Sequence, residues 1–394
     1  MDNYTILVIV MKIGIITYWH SNDNYGQLLQ CYALQRFLIT QGHDVFLIRY
    51  LPENTTTIVE KIKNFVFSKN KKKYLTLIYE VYLDFLNRKK NISRKFSEFR
   101  ETCIVSTEKV YRTIQELRLN SPVADVYICG SDQIWNNPLN DINTAGWYLD
   151  FGNAKKIAYA ASFGRKVVPS EYAMLQKYLT KIDKIGVRES SGKKVCDALG
   201  FTESKVVVDP TFLLNASQYE MIMNNRTLSE VRTKRYVFMY FLNVKRKKEI
   251  FWEQMKFFFE QNGLDVEYVN ASGYVKARSI LGKIKPLYLS IPEWLMHLKC
   301  ANCVMTNSFH GVVFSLLFHK PFFVIPLENE YLGGNARIVD LLNKLNLDYL
   351  IYDKKESFEK QMRYDLNWNE IDSKLTKMIE ESKLFLQKSI EENC

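Results

Sequence analysis

The chain has 394 residues, 47% of them hydrophobic and 25% charged, with a formal net charge of +11. That length exceeds what one hydrophobic core usually supports, so two domains are expected, and the apolar and aromatic content (24 Tyr, 24 Phe) excludes a disordered chain. The seven cysteines (31, 103, 129, 196, 300, 303 and 394) are odd in number and scattered, which excludes a disulfide framework and fits reduced packing residues in the cytoplasm.

The opening ILVIVMKIGII is apolar but short, follows Asp2 and is broken by Lys12, so it reads as a first strand rather than a signal peptide or membrane span. Translation is expected to begin at Met11, with residues 1–10 a mis-assigned leader. Lys12–Tyr18 reads as a buried strand, Gly26–Gln41 as a helix stopped by Gly42, and Asp44–Tyr50 as a second strand, which together open a Rossmann-like half. The intervening WHSNDNYGQ offers Asp23 or Asn24 as a helix cap and Gly26 as a point where a ligand approaches the backbone. It lacks G-x-G-x-x-G, so dinucleotide binding has no support.

Residues 53–120 break the alternation with helical, basic and aromatic sequence. Between Lys61 and Arg100, twelve Lys or Arg face three acidic residues, a net +9 of the chain's +11. This insertion is either a solvated helical hairpin or a surface that docks on an anionic membrane or substrate; no nucleic-acid motif accompanies it. Alternation returns with strands at Asp125–Cys129, Lys156–Ala161, Lys184–Val187 and Lys205–Val208. The polar turns after them, GSDQIWN, SFGR, RESSG and DPT, would line one rim of a doubly wound sheet. Asp209, ahead of Pro210, reads as a turn former. Helices are expected at Glu171–Ile182 and Ser190–Leu199.

Apolar periodicity fades over Asn215–Lys234, placing a crossing at about Met223–Arg235 between domains at 11–225 and 232–394. A second series follows: strand Tyr236–Leu242, helix Glu249–Asn262, strand Asp265–Val269, helix Pro292–Cys300, and a closing helix Trp368–Glu391. Within it, MTNSFHGVVFSLLFHKPFFVIP (305–326) places a polar corner, Thr306–His310, between an apolar strand and a helix over Gly311–Phe318, ahead of a strand at Phe322–Ile325. Ser308 and His310 there are either a helix cap and a packed histidine, or groups facing a ligand at the carboxyl ends of the strands. Cys300 and Cys303 form a lone pair without a second, and the five histidines show no ligand spacing, so no metal site is expected. Neither G-x-S-x-G nor a Walker sequence occurs, which leaves hydrolase and kinase readings without support.

One ordered set of motifs stands out: NDNYGQLLQCYALQ (22–35), GSDQIWN (130–136), YAASFG (159–164), VRESSG (187–192), VVDPTFLL (207–214) and TNSFHGVVFSLLFHKPF (306–322). Together they resemble the polysaccharide pyruvyl transferase family, from about Lys12 to Asn346. The resemblance implies a GT-B-like α/β fold, two Rossmann-like doubly wound domains facing across a cleft, with the basic helical insertion (about 53–120) in the first. It also implies transfer of the pyruvyl group of phosphoenolpyruvate to a sugar of a surface or cell-wall polysaccharide, or its lipid-linked precursor, as a cyclic ketal. The enzyme would be cytoplasmic, peripheral at the inner membrane face through residues 61–100, and would need no metal or organic cofactor and no nucleic acid.

Phosphoenolpyruvate carries a phosphate and a carboxylate, so its site needs guanidinium groups, helix amides and a proton donor for the enol methylene. By the resemblance His310 is catalytic and Arg188 holds the donor. Ser308 stands where characterised relatives carry arginine, so Ser308 with the amides of Phe309 and Gly311, and a cation from Arg337 or Lys245, are assigned to the donor as well. His20, Asn22, Asn24, Gly130, Ser131, Asp132 and Asn136 are assigned to the acceptor side of the cleft. The competing readings are a GT-B glycosyltransferase using a nucleotide sugar, and a non-catalytic sugar-binding or membrane-surface scaffold.

Overall fold

Strands buried on both faces need apolar residues at consecutive positions rather than alternate ones, and KIGII, VYIC and YVFMYF meet that condition. In the computed structural model, which describes residues 10–52, 93–223, 235–244, 247–271, 281–326 and 335–392, each becomes a central strand of a parallel sheet. The first sheet has seven strands: β1 (Lys12–Ile16), β2 (Asp44–Tyr50), β3 (Ser106–Tyr111), β4 (Val126–Cys129), β5 (Lys155–Ala161), β6 (Lys184–Val187) and β7 (Lys205–Val206), in the order β3-β2-β1-β4-β5-β6-β7. The second has four: β8 (Tyr236–Phe241), β9 (Asp265–Asn270), β10 (Cys303–Thr306) and β11 (Phe322–Val324), ordered β11-β10-β8-β9. Strand order reverses between β1 and β4 in one sheet and between β8 and β10 in the other. Those are the positions where open α/β sheets place ligands, beyond the carboxyl ends of the strands.

The sequence expectation fails at the end of the basic segment. Residues 96–120, read as part of a helical insertion, supply the edge strand β3 between the helices Phe96–Cys103 and Ile114–Leu119. STEKVY has a single strand neighbour and an exposed face, so it carries no apolar run to betray it. Nor are all the basic groups solvated. Arg94 is buried, with its guanidinium 5.7 Å from the Tyr25 ring and 5.0 Å from the Tyr288 ring, and Arg100 donates to Ser21 O (2.6 Å) and Asn22 Oδ1 (2.9 Å). The stretch 61–92, Lys245 and most of the expected crossing at 223–235 lie outside the described residues.

The two sheets share one apolar core. Tyr25, first residue of the helix Tyr25–Thr40, stacks on Trp294 with centroids 5.1 Å apart at 16°, and its hydroxyl donates to Leu289 O at 2.7 Å. The helix Trp368–Glu391 follows the second sheet in the chain but lies against the first: Ser382 Oγ accepts from Val208 N (2.9 Å), and Lys184 pairs with Glu392 (2.7 Å). No helix among the described residues is long and apolar enough to cross a membrane.

Candidate functional site at the strand ends

Four neighbouring parallel strands of the first sheet deliver polar residues past their carboxyl ends: Ser131 after β4, Ser162 after β5, Arg188 and Glu189 after β6, and Asp209 after β7. All five are at most 5% exposed. Asp209 sits at their centre. Its Oδ2 accepts from Ser131 Oγ (2.7 Å) and Arg188 Nη1 (2.8 Å), and its Oδ1 accepts from Thr211 N (3.0 Å) and Thr211 Oγ1 (2.7 Å). Burial by itself would lift the Asp209 carboxyl; the His310 imidazole, the Arg188 guanidinium and the Thr211 hydroxyl outweigh it and hold the group well below the usual carboxylate range.

The second sheet contributes His310. The helix begins earlier than expected, at Phe309, so His310 lies in its first turn rather than in a polar corner. Ser308 is the N-cap, its Oγ accepting from Gly311 N at 3.5 Å, and Gly311 has no side chain because a β-carbon there would overlap Thr306. The imidazole is 6% exposed, with Nε2 3.7 Å from Asp209 Oδ1 and no hydrogen-bond partner. Its other side rests on Gly26, where a β-carbon would overlap the ring near Nδ1. The close approach expected of a ligand at Gly26 is therefore made by His310 itself.

Arg337 comes from the helix Asn335–Leu345, and its guanidinium carbon lies 5.7 Å from the Phe309 ring centroid, with that of Arg188 at 4.9 Å from the same ring. Burial and then the charge of Arg188 push the Arg337 guanidinium down to about 10. Nε and Nη2 of Arg188, Nε of Arg337 and Oε2 of Glu189 are all shut from solvent without a hydrogen-bond partner among the described residues, Arg188 Nε and Glu189 Oε2 facing each other at 3.9 Å, while Glu189 Oε1 accepts from Ser162 Oγ at 2.8 Å. A cavity of about 240 Å³ opens beside these groups, lined by Arg188, Asp209, Phe309 and Arg337, and further out by apolar residues such as Leu341 and Met378 and by the charged Asp340, Lys344 and Glu381. His310 does not line it; the Asp209 carboxylate stands between.

The residues assigned to the acceptor side divide. Ser131 belongs to the buried cluster, with Gly130 packed on Thr17 beside it. Asn24 is spent as the N-cap of the first helix, accepting from Gln27 N. Asp132 holds a left-handed backbone (φ 78°), its carboxylate turned to Gln133 N at 2.8 Å. His20, Asn22 and Asn136 are exposed on the rim, with Asn22 held by Arg100. Sequence reading placed neither Asp209 nor Glu189 in the site. Their turns, RESSG and DPT, were expected to line the rim of the sheet, but Arg188 alone was given a role, and that through the family resemblance.

The family model described as polysaccharide pyruvyl transferase matches residues 24–329. The chain belongs to the polysaccharide pyruvyl transferase family. Arg188, Glu189, Asp209 and His310 lie inside the matched region, whereas His20, Asn22 and Arg337 lie outside it. Among solved structures it is similar to UGT89C1 of Arabidopsis thaliana, with a TM-score of 0.50 at 9% identity over 97% of this chain and 98% of that one. It is also similar to MnaA of S. aureus in a co-structure with UDP (TM-score 0.47, 12% identity, 97% and 92% covered) and to the glycosyltransferase SnogD of Streptomyces nogalater (0.39, 13%, 97% and 100%). At 9% identity the likeness to UGT89C1 is one of fold: two parallel α/β sheets in a GT-B-like arrangement. A comparison with curated proteins found no match.

Proposed function

We propose that this polysaccharide pyruvyl transferase moves the pyruvyl group of phosphoenolpyruvate onto a sugar of a surface or cell-wall polysaccharide, or of its lipid-linked precursor, closing a cyclic ketal. One observation carries the reading. Two guanidinium groups lie against the same Phe309 ring beside a cavity, with Nη2 of Arg188 and Nε of Arg337 buried and not hydrogen-bonded among the described residues, and Nε of Arg188 met only by Glu189 Oε2 at 3.9 Å. A buried donor left unpaired is costly, and two cations side by side more so. A small ligand with a phosphate and a carboxylate answers both.

The chemistry then needs a proton at the enol methylene, which turns it into a methyl group and leaves C2 electrophilic. A first sugar hydroxyl forms a C2–O bond and gives up its proton. A second forms another C2–O bond as the C2–O bond to phosphate breaks, and inorganic phosphate departs with the remaining proton. Imidazole is suited to shuttling these protons near neutral pH, and His310 is the histidine of the cluster. Ser308, committed to its helix cap, leaves the donor's charge to Arg188 and Arg337. The reaction calls on no metal or organic cofactor. A lipid-linked acceptor would place the enzyme at the inner membrane face.

The full chain incubated with phosphoenolpyruvate and a panel of glycosides is expected to release phosphate and form a pyruvyl ketal visible by NMR, and His310→Ala to lose both. Thermal stabilisation by UDP-sugars but not by phosphoenolpyruvate, with no phosphate released, would sink the proposal in favour of a glycosyltransferase.

A further inference from the structure

A carboxylate that served only to neutralise Arg188 would need one oxygen for the task. Asp209 uses Oδ2 for that, sharing it with Ser131 (2.7 Å) and Arg188 (2.8 Å), and turns Oδ1 the other way. Oδ1 is fixed by two bonds from Thr211, and beyond them it faces Nε2 of His310 across 3.7 Å. Arg188 and Asp209 follow strands of the first sheet, while His310 follows a strand of the second. Each Asp209 oxygen therefore addresses a different half of the molecule. Gly26 lies flush against one side of the imidazole, and Nε2 is buried without a hydrogen-bond partner among the described residues, 3.7 Å from Asp209 Oδ1. An N–H···O bond runs about 2.9 Å, so a ring movement of roughly 0.8 Å closes the contact.

We infer that Asp209 is the positioning residue of the site, holding His310 as its Nε2–H tautomer and at a fixed separation from the Arg188 guanidinium. A carboxylate only accepts, so the ring nitrogen facing it must carry the hydrogen, which leaves Nδ1 to take up and release protons. Nδ1 lies against Gly26, at a spacing that leaves no room for a β-carbon. The donor's anionic end, held on Arg188, and the imidazole that exchanges protons with the reacting groups are thereby set in register by one side chain. The kinetic consequence rests on the pyruvyl-transfer reading; the tautomer does not.

Ring ¹⁵N shifts of histidine-labelled full-length protein, with the His310 signals identified by their loss in His310→Asn, measure the tautomer without any substrate. The neutral His310 ring is expected as Nε2–H in the wild type and as a mixture in Asp209→Ser. In the same variant kcat for pyruvyl transfer should fall at least about 100-fold. An Nδ1–H ring in the wild type overturns the assignment whether or not the variant folds. So does an unchanged tautomer, or an unchanged kcat, in folded Asp209→Ser. A wild type that shows the Nε2–H tautomer yet never consumes phosphoenolpyruvate would leave Asp209 in its positioning role and remove the proposed reaction.

Discussion

A buried guanidinium keeps its place only if something answers its charge, and at Arg188 and Arg337 the answers are unequal. Arg188 has the Asp209 carboxylate at 2.8 Å, whereas Arg337 meets burial and a second cation, which together push it down to about 10. Arg337→Met should therefore melt no lower than the wild type without ligand, while losing at least tenfold in phosphoenolpyruvate affinity, or about 1.4 kcal/mol. Calorimetry showing undiminished affinity would remove Arg337 from the site. Asp209 gives a pH signature of opposite sense. Its folded-state carboxyl lies well below the ordinary 3.8, so the stability it contributes is complete above that value and drains away as pH falls through the depressed one. Acid unfolding of the wild type below about pH 4 should be shallower in Asp209→Asn, whose amide does not titrate. His310 could be picked out from sequence because it falls where an apolar strand gives way to an apolar helix, and Arg188 because VRESSG resembles a family motif. Asp209 could not, because Asp before Pro reads as a local turn, which it also makes, and its partner Ser131 lies 78 residues away.

Elements with a strong burial pattern announced themselves, and those without one did not. β6 runs over the very residues expected, since KIGV is enclosed by neighbours on both sides, while the edge strand β3 vanished into a stretch that reads as charged helix. Strain also collects where the strands deliver the site: Ala160, inside β5, adopts φ 56° beside an irregularity in register, and Asp132 adopts φ 78° just after β4. Such backbone costs roughly 1–3 kcal/mol per residue and survives where surrounding packing enforces it. At the helix Phe309–Leu317 the issue is what Ser308 does. As a cap, Ser308→Ala should cost about 1 kcal/mol of stability and leave phosphoenolpyruvate affinity within about threefold. A tenfold loss of affinity at unchanged melting temperature would instead make the hydroxyl a donor ligand.

The whole molecule is held by contacts that tie the sheets together close to the site, so stability and chemistry are coupled through the same residues. Tyr25 bridges the first helix to Trp294 and Leu289, one residue before the Gly26 that lies against His310. From the other direction Ser382 of the closing helix accepts the amide of Val208, the residue next to Asp209. Ser382→Val leaves that amide without an acceptor and should cost about 1–3 kcal/mol. Its larger effect is expected on kcat, because Val208 carries Asp209; a variant that melts lower with turnover intact would uncouple the helix from the site. Whether Arg188, past the end of β6, and Arg337, of the helix Asn335–Leu345, hold phosphoenolpyruvate is tested directly by a crystal structure of the full chain with that donor bound. The phosphate and carboxylate are expected on Nε and Nη2 of Arg188 and Nε of Arg337, in the cavity that Asp209 separates from His310. Donor bound instead among His20, Asn22 and Asn136 on the exposed rim, or excluded from the cavity at saturating concentration, would contradict it.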